Sequence, residues 1–157
     1  MSTIGFDTSN YTTSTAWTDG KTDINVRQIL YVKDGERGIR QSDGVFQHMK
    51  LMPVMYEKLS EQIDFKDVKA VGVSTRPRCV EGSYMPVFLA GEGYAKVVAN
   101  TLGVPLYEFS HQDGHIMAGI YSSGSFELLE NDFISVHLSG GTTEILKSRY
   151  NEFNFDN

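Results

Sequence analysis

The chain opens on an alternating pattern. Ile4 and Phe6 are apolar, Asp7-Thr8-Ser9-Asn10 is a polar run, and residues 13–17 return with β-branched and aromatic side chains. This pattern predicts a hairpin, with Asp19-Gly20 as the next turn and residues 24–33 as a third strand. The charged, glycine-rich KDGERGIRQSD is read as a loop. From Ser42 the period changes: Val45, Met49, Met52, Met55 or Tyr56, Leu59 and Ile63 recur at steps of three and four. That spacing predicts a helix with one apolar face, its methionines Met49, Met52 and Met55 in the core. Pro53 is expected to kink or split it.

Residues 68–76, VKAVGVSTR, read as a short buried strand, and RPRCVEGSYMP as irregular chain. The helical period resumes with Phe88, Gly91, Ala95, Val98 and Leu102; Gly103 then stops the helix and Pro105 follows. VPLYEFS is a strand that runs directly into SHQDGHIMAG, a strand-to-helix transition. After SSGSFELLEND comes FISVHLSGGTTEIL, a second strand–turn–strand unit. The order β-β-β-α-β-α-β-α, then β-β, is an α/β pattern. IGFDTSNYTTSTAW and ISVHLSGGTTEIL share one design, which suggests duplicated halves. On this reading residues 1–125 form a first α/β domain, and residues 130–157 form the opening hairpin of a second, truncated one.

Composition narrows the classes. A net charge of −6 argues against a chain that coats nucleic acid by itself. The single cysteine, Cys79, permits no intrachain disulfide and fits a reducing compartment. Neither a signal peptide nor a membrane span is visible, so the expected location is the cytoplasm. There is no P-loop, GxSxG or CxxC motif.

Candidate chemistry concentrates in a few places. The turn Asp7, Thr8, Ser9 can hold a phosphate through backbone N–H groups and hydroxyls, although hairpin turns use the same residues for geometry alone. The SGGTT turn at residues 139–143 has the same two readings. In SHQDGHIMAG, Ser110 and Asp113 match a capping box, which puts His111 at the first helical position. His111 and His115 then lie one turn apart and can converge on one cation; the alternative is a helix with two polar histidines beside a cleft. Two histidines leave a zinc or iron site incomplete. His48 is read as a surface or boundary residue and His137 as a buried, hydrogen-bonded one. Arg76, Arg78 and Lys69 are read as solvated rather than phosphate-bound.

Taken together, GFDTSNYTTS, QSDGVFQHMKLMPVMYEKL, VKAVGVST, AGEGYAKVVANTLGVPL, SHQDGHIMAG and FISVHLSGGTTEIL resemble, in that order, the TsaD/Gcp family. Its members are tRNA threonylcarbamoyl transferases, formerly called O-sialoglycoprotein endopeptidases or M22 glycoproteases. The resemblance runs over essentially the whole chain and corresponds to about the first half of a typical member. It implies an ASKHA (actin, hexokinase, Hsp70-like; ribonuclease H-like) fold with a mixed sheet flanked by helices. It also implies that His111 and His115 bind one divalent metal, iron or zinc, and that His137, Leu138, Ser139, Gly140 and Gly141 meet an adenine nucleotide or acyl-adenylate. The third metal ligand in the family, an aspartate, comes from the half absent here, so weak or absent metal binding and no turnover are expected of this chain alone.

The implied partners are tRNA and either a TsaB-like protein or a second copy. The alternatives are a non-catalytic TsaB-like scaffold or an M22-type metallopeptidase. The latter fits poorly, because Gln112 stands where HExxH zincins carry a glutamate. Three departures mark a divergent member: Arg76-Pro77-Arg78 replaces a Gly-Pro-Gly loop, Asp113 replaces the usual glutamate, and the turn reads SGGT rather than SGGH.

Overall fold

The computed structural model describes residues 1–138, 143–151 and 154–156. Strands β1 (Ser2–Asp7) and β2 (Thr12–Thr18) form the expected hairpin, with Ile4 opposite Trp17 and Phe6 opposite Thr15. Its turn closes because the Asp7 carboxylate accepts from the Ser9 N–H at 2.7 Å, an Asx-type turn. Asn10, at φ 41°, takes the left-handed position, which asparagine tolerates better than most residues. Strand β3 (Asp23–Ile29) pairs with β2. It ends four residues short of the expected boundary, where the Leu30 N–H turns to the Tyr11 carbonyl and the Leu30 side chain is buried.

Strands β4 (Val68–Arg76) and β5 (Leu106–Ser110) continue the sheet in parallel with β1, giving the order β3-β2-β1-β4-β5. Helices α1 (Gln41–Ser60) and α2 (Phe88–Leu102) pack against it. Ile4, Phe6, Val71 and Val73 meet Met52 and Leu59 of α1 and Ala95 and Ala99 of α2 in one core. Helix α2 stops at Gly103, whose φ of 67° is the left-handed C-terminal geometry expected of it.

Helix α1 departs from expectation in three ways. It runs unbroken through Pro53. Pro53 has no N–H for the Met49 carbonyl four residues back, and the Tyr94 hydroxyl of α2 donates to that carbonyl at 2.9 Å instead. The buried face is Gly44, His48, Met52, Met55 and Leu59, so Met49 lies outside the core, 46% exposed. His48 is fully buried rather than at the surface, its Nδ1 2.7 Å from the Thr13 hydroxyl. Pattern reading places histidine outside by default; a buried hydroxyl on the facing strand reverses this.

Helix α3 (His111–Ser123) follows β5 without a loop. A 3-10 turn at Phe126–Glu130 precedes a second sheet of β6 (Phe133–Leu138), β7 (Thr143–Asn151) and β8 (Asn154–Asp156). Strand β8 was not evident in the pattern. Its Phe155 is buried against Ile116 and Ile120 of α3, so α3 shares a core with the second sheet. Among the described residues no helix is long and apolar enough to cross a membrane.

Candidate functional site

The end of β1, the start of α3 and the β6–β7 hairpin meet at one place. Ser110 caps α3 as its sequence predicts: its hydroxyl accepts from the Asp113 N–H, and the Asp113 carboxylate accepts from the Ser110 N–H. Asp113 is therefore a buried structural group, and it leaves His111 at the first helical position and His115 one turn on. Their Nε2 atoms are 2.9 Å apart.

On its other side His111 meets Asp7. Nδ1 lies 2.9 Å from the carboxylate, whose second oxygen accepts from the Ser9 hydroxyl and N–H. Burial would raise the Asp7 pKa, but the hydrogen bond and charge of His111, with help from Ser9 and Ser74, hold it at about 2. A carboxylate on Nδ1 fixes the tautomer and leaves Nε2 as the ligand nitrogen. Removal of water from around the His115 ring lowers its pKa, and the charges of His111 and His137 lower it further. A neutral His115 is the form that binds a cation.

His137 sits on β6 directly opposite Glu144 of β7. Its ring is 5.2 Å from that of His115. Contrary to expectation its side chain is 26% exposed, and its buried Nδ1 has no hydrogen-bond partner, lying 3.6 Å from Glu144 Oε2. Glu144 is held from elsewhere: Arg78 pairs with it at 2.8 Å and the Gln112 amide donates to it at 3.0 Å. Arg78, in the loop that departs from Gly-Pro-Gly, is solvent-exposed as expected and also reaches Glu144 on the second sheet. Arg76 bonds Thr75 and the exposed Cys79.

The remaining expected residues divide. Thr8 is fully buried, donates to the Val87 carbonyl at 2.8 Å and accepts from the Gly91 N–H at 3.0 Å. Its hydroxyl is occupied in seating α2 on the turn, while Asp7 faces the histidines. Leu138 is 72% exposed, and Ser139, Gly140 and Gly141 lie outside the described residues. Sequence reasoning missed Glu144 and the pairing of Asp7 with His111. Counting outward from the SGGTT turn would have placed Glu144 opposite His137; no local signal joins Asp7 to His111 across 104 positions.

For the metal that the resemblance implies, His111 and His115 fit as two imidazole nitrogen donors with Asp7 as the orienting carboxylate. No group of three histidine, cysteine, aspartate or glutamate side chains among the described residues is already arranged to hold an ion.

These histidines give a pH dependence. His48, through burial, and His115 both have folded pKa values below the ordinary 6.5. Unfolded histidines then bind more protons than folded ones, so stability falls as pH drops below 6.5. Asp7 acts in another window: its contribution is complete above 3.8 and is lost as pH falls to about 2. The urea midpoint, followed by circular dichroism, is expected to be lower at about pH 5.5 than at about pH 7.5. A flat midpoint contradicts lowered pKa values of His48 and His115 in the folded chain.

Residues 35–156 match the family TsaD, tRNA N6-adenosine threonylcarbamoyltransferase. Among curated relatives, the tRNA N6-adenosine threonylcarbamoyltransferase of Christiangramia forsetii is 33% identical over 62% of this chain and 27% of its own length. That of Pyrobaculum calidifontis is 28% identical over 90% of this chain and 40% of its own. The chain spans less than half the length of these relatives. Among solved structures, YeaZ from Pseudomonas aeruginosa superposes with a TM-score of 0.57 at 12% identity, over 100% of this chain and 65% of its own. The ethanolamine utilization protein EutJ from Carboxydothermus hydrogenoformans gives 0.51 at 16% identity, over 100% of this chain and 50% of its own. The fold is of the ASKHA type, a mixed sheet flanked by helices.

Proposed function

The chain belongs to the TsaD family of tRNA N6-adenosine threonylcarbamoyltransferases, and from that premise we propose that it supplies the histidine side of a metal-assisted transfer site. The reaction moves a threonylcarbamoyl group from its adenylate to N6 of the adenosine beside the anticodon of tRNA. The observation that carries the reading is the Asp7–His111–His115 array, in which a carboxylate orients one imidazole and the two Nε2 atoms converge.

His111 and His115 would hold the ion. When bound, it supplies Lewis-acid polarisation of a carbamoyl or phosphoryl oxygen. Asp7 keeps His111 in the ligating tautomer. Ser139, Gly140 and Gly141, which follow His137 and Leu138 in the sequence, would take the adenylate together with those two residues. Turnover on tRNA takes place in the cytoplasm and needs the part of the cleft that longer relatives carry, with a TsaB-like protein or a second copy as partner.

A non-catalytic scaffold of the same fold is the second reading; it needs neither ion nor adenylate. The two separate on Asp7→Asn. A positioned transferase site loses about 10–100-fold in zinc or iron affinity, measured by competition with a chromophoric chelator. A scaffold shows no specific ion to lose.

A further inference from the structure

We propose that His48 is a positioning residue for the transfer site: from inside the first core it holds the β1–β2 turn so that Asp7 meets His111. The inference rests on the Asp7–His111 pair of the reading above and goes beyond it, because His48 acts on that pair from another element, helix α1.

The turn is gripped from both sides by threonines that are fully buried. On one side the Thr8 hydroxyl joins it to α2, through the Val87 carbonyl and the Gly91 N–H. On the other, the Thr13 hydroxyl lies 2.7 Å from His48 Nδ1 on α1. Thr13 is adjacent to Ser14, which stands opposite Asp7 in the β1–β2 register. The second anchor is therefore one residue from the position that faces the carboxylate. Between the two anchors Asn10 takes the left-handed backbone, φ 41°, a conformation that a loosened turn has little reason to keep.

Core filling does not account for a histidine here. The rest of the buried face of α1 is Gly44, Met52, Met55 and Leu59. His48 Nε2 is buried without a hydrogen-bond partner among the described residues, which is a cost that calls for an explanation. Burial lowers the pKa of the ring, although the nearby Asn10 backbone and the Asp7 charge oppose this. An apolar pair of the same shape at positions 13 and 48 would avoid that cost and fold about as well. What it would lose is direction: a hydrogen bond fixes where Thr13 sits, whereas apolar contact is non-directional.

The test separates geometry from stability. Nitrogen NMR of the isotope-labelled, ion-free chain reads the ratio of the Nδ1–H to the Nε2–H form of His111, and the urea midpoint reads stability. In wild type the Asp7 carboxylate should make the Nδ1–H form dominant. Thr13→Val/His48→Leu is expected to keep a midpoint near that of wild type, yet to lower the ratio about 10-fold or more, the worth of a charge-assisted hydrogen bond. His48→Asn, whose amide still reaches for the Thr13 hydroxyl, should do the opposite: a lower midpoint with the ratio largely kept. A wild-type ratio in Thr13→Val/His48→Leu, or a ratio that falls with the midpoint in His48→Asn, overturns the proposal. His48→Asn decides alone if the double variant does not fold. Asp7→Asn is the control for the underlying reading. If it leaves the ratio unchanged, the Asp7–His111 pair and the proposal built on it both fall. If it lowers the ratio and Thr13→Val/His48→Leu does not, only the role of His48 falls.

Discussion

Gly91→Val is expected to cost about 3 kcal/mol or more of folding stability, with the urea midpoint falling accordingly. Helix α2 rests at this point on the turn that carries Asp7. A β carbon at position 91 would meet the Thr8 hydroxyl oxygen at 2.9 Å and its methyl carbon at 3.3 Å. Thr8 cannot yield easily. It is fully buried, and rotating it breaks its bonds to the Val87 carbonyl and the Gly91 N–H together. Valine adds two branched methyls in an α-helix, where β-branched side chains are already confined.

Gly91→Ala sets two effects against each other: alanine gains roughly 1 kcal/mol of helix propensity over glycine, while the contact with Thr8 opposes it. The contact account predicts that Thr8→Ala relieves part of the Gly91→Val penalty, so the pair is non-additive in a double-mutant cycle. Additive penalties would show that the clash with Thr8 is not the cause.

Removing a ligand nitrogen is expected to have the largest effect on ion binding. His111→Ala should weaken zinc affinity by more than roughly 100-fold, exceeding the effect of Asp7→Asn, which removes only the orienting group. His111 is 32% exposed on its side chain and lies in the first turn of α3, and the Ser110–Asp113 cap does not use it. The helix should therefore survive the change. An equal loss in Asp7→Asn and His111→Ala, both with lowered urea midpoints, would assign the array to folding instead.

The parts of this molecule that sequence made legible are those governed by local rules. Strand β4, the Gly103 stop and the Ser110–Asp113 cap each depend on neighbours within a few residues, and each appears where its pattern placed it. Helix α1 shows where such rules end. Its periodicity favoured Met49 inward, but Thr13 on β2 offers a buried hydroxyl partner, and His48 turns in instead. A kink or split at Pro53 follows from its missing N–H, which is local knowledge; the Tyr94 hydroxyl that fills the gap comes from another helix.

The candidate site divides the same way. The spacing of His111 and His115 was readable, because one helical turn sets it. Asp7 was visible as a chemically able residue, but its role depends on β1 ending beside α3, which is a property of the sheet order. The histidine–glutamate pair on β6 and β7 required the register of a hairpin whose turn had been read only for its glycines.

The most direct measurement of the account is the divalent-metal content of the wild-type chain and of His111→Ala, each purified without chelators under anaerobic conditions and titrated with zinc or iron. The account predicts weak but specific uptake that saturates at about one ion per wild-type chain on titration, and its loss in the variant. A folded wild-type chain that takes up no ion, or a variant that retains it undiminished, would contradict a metal site at His111 and His115.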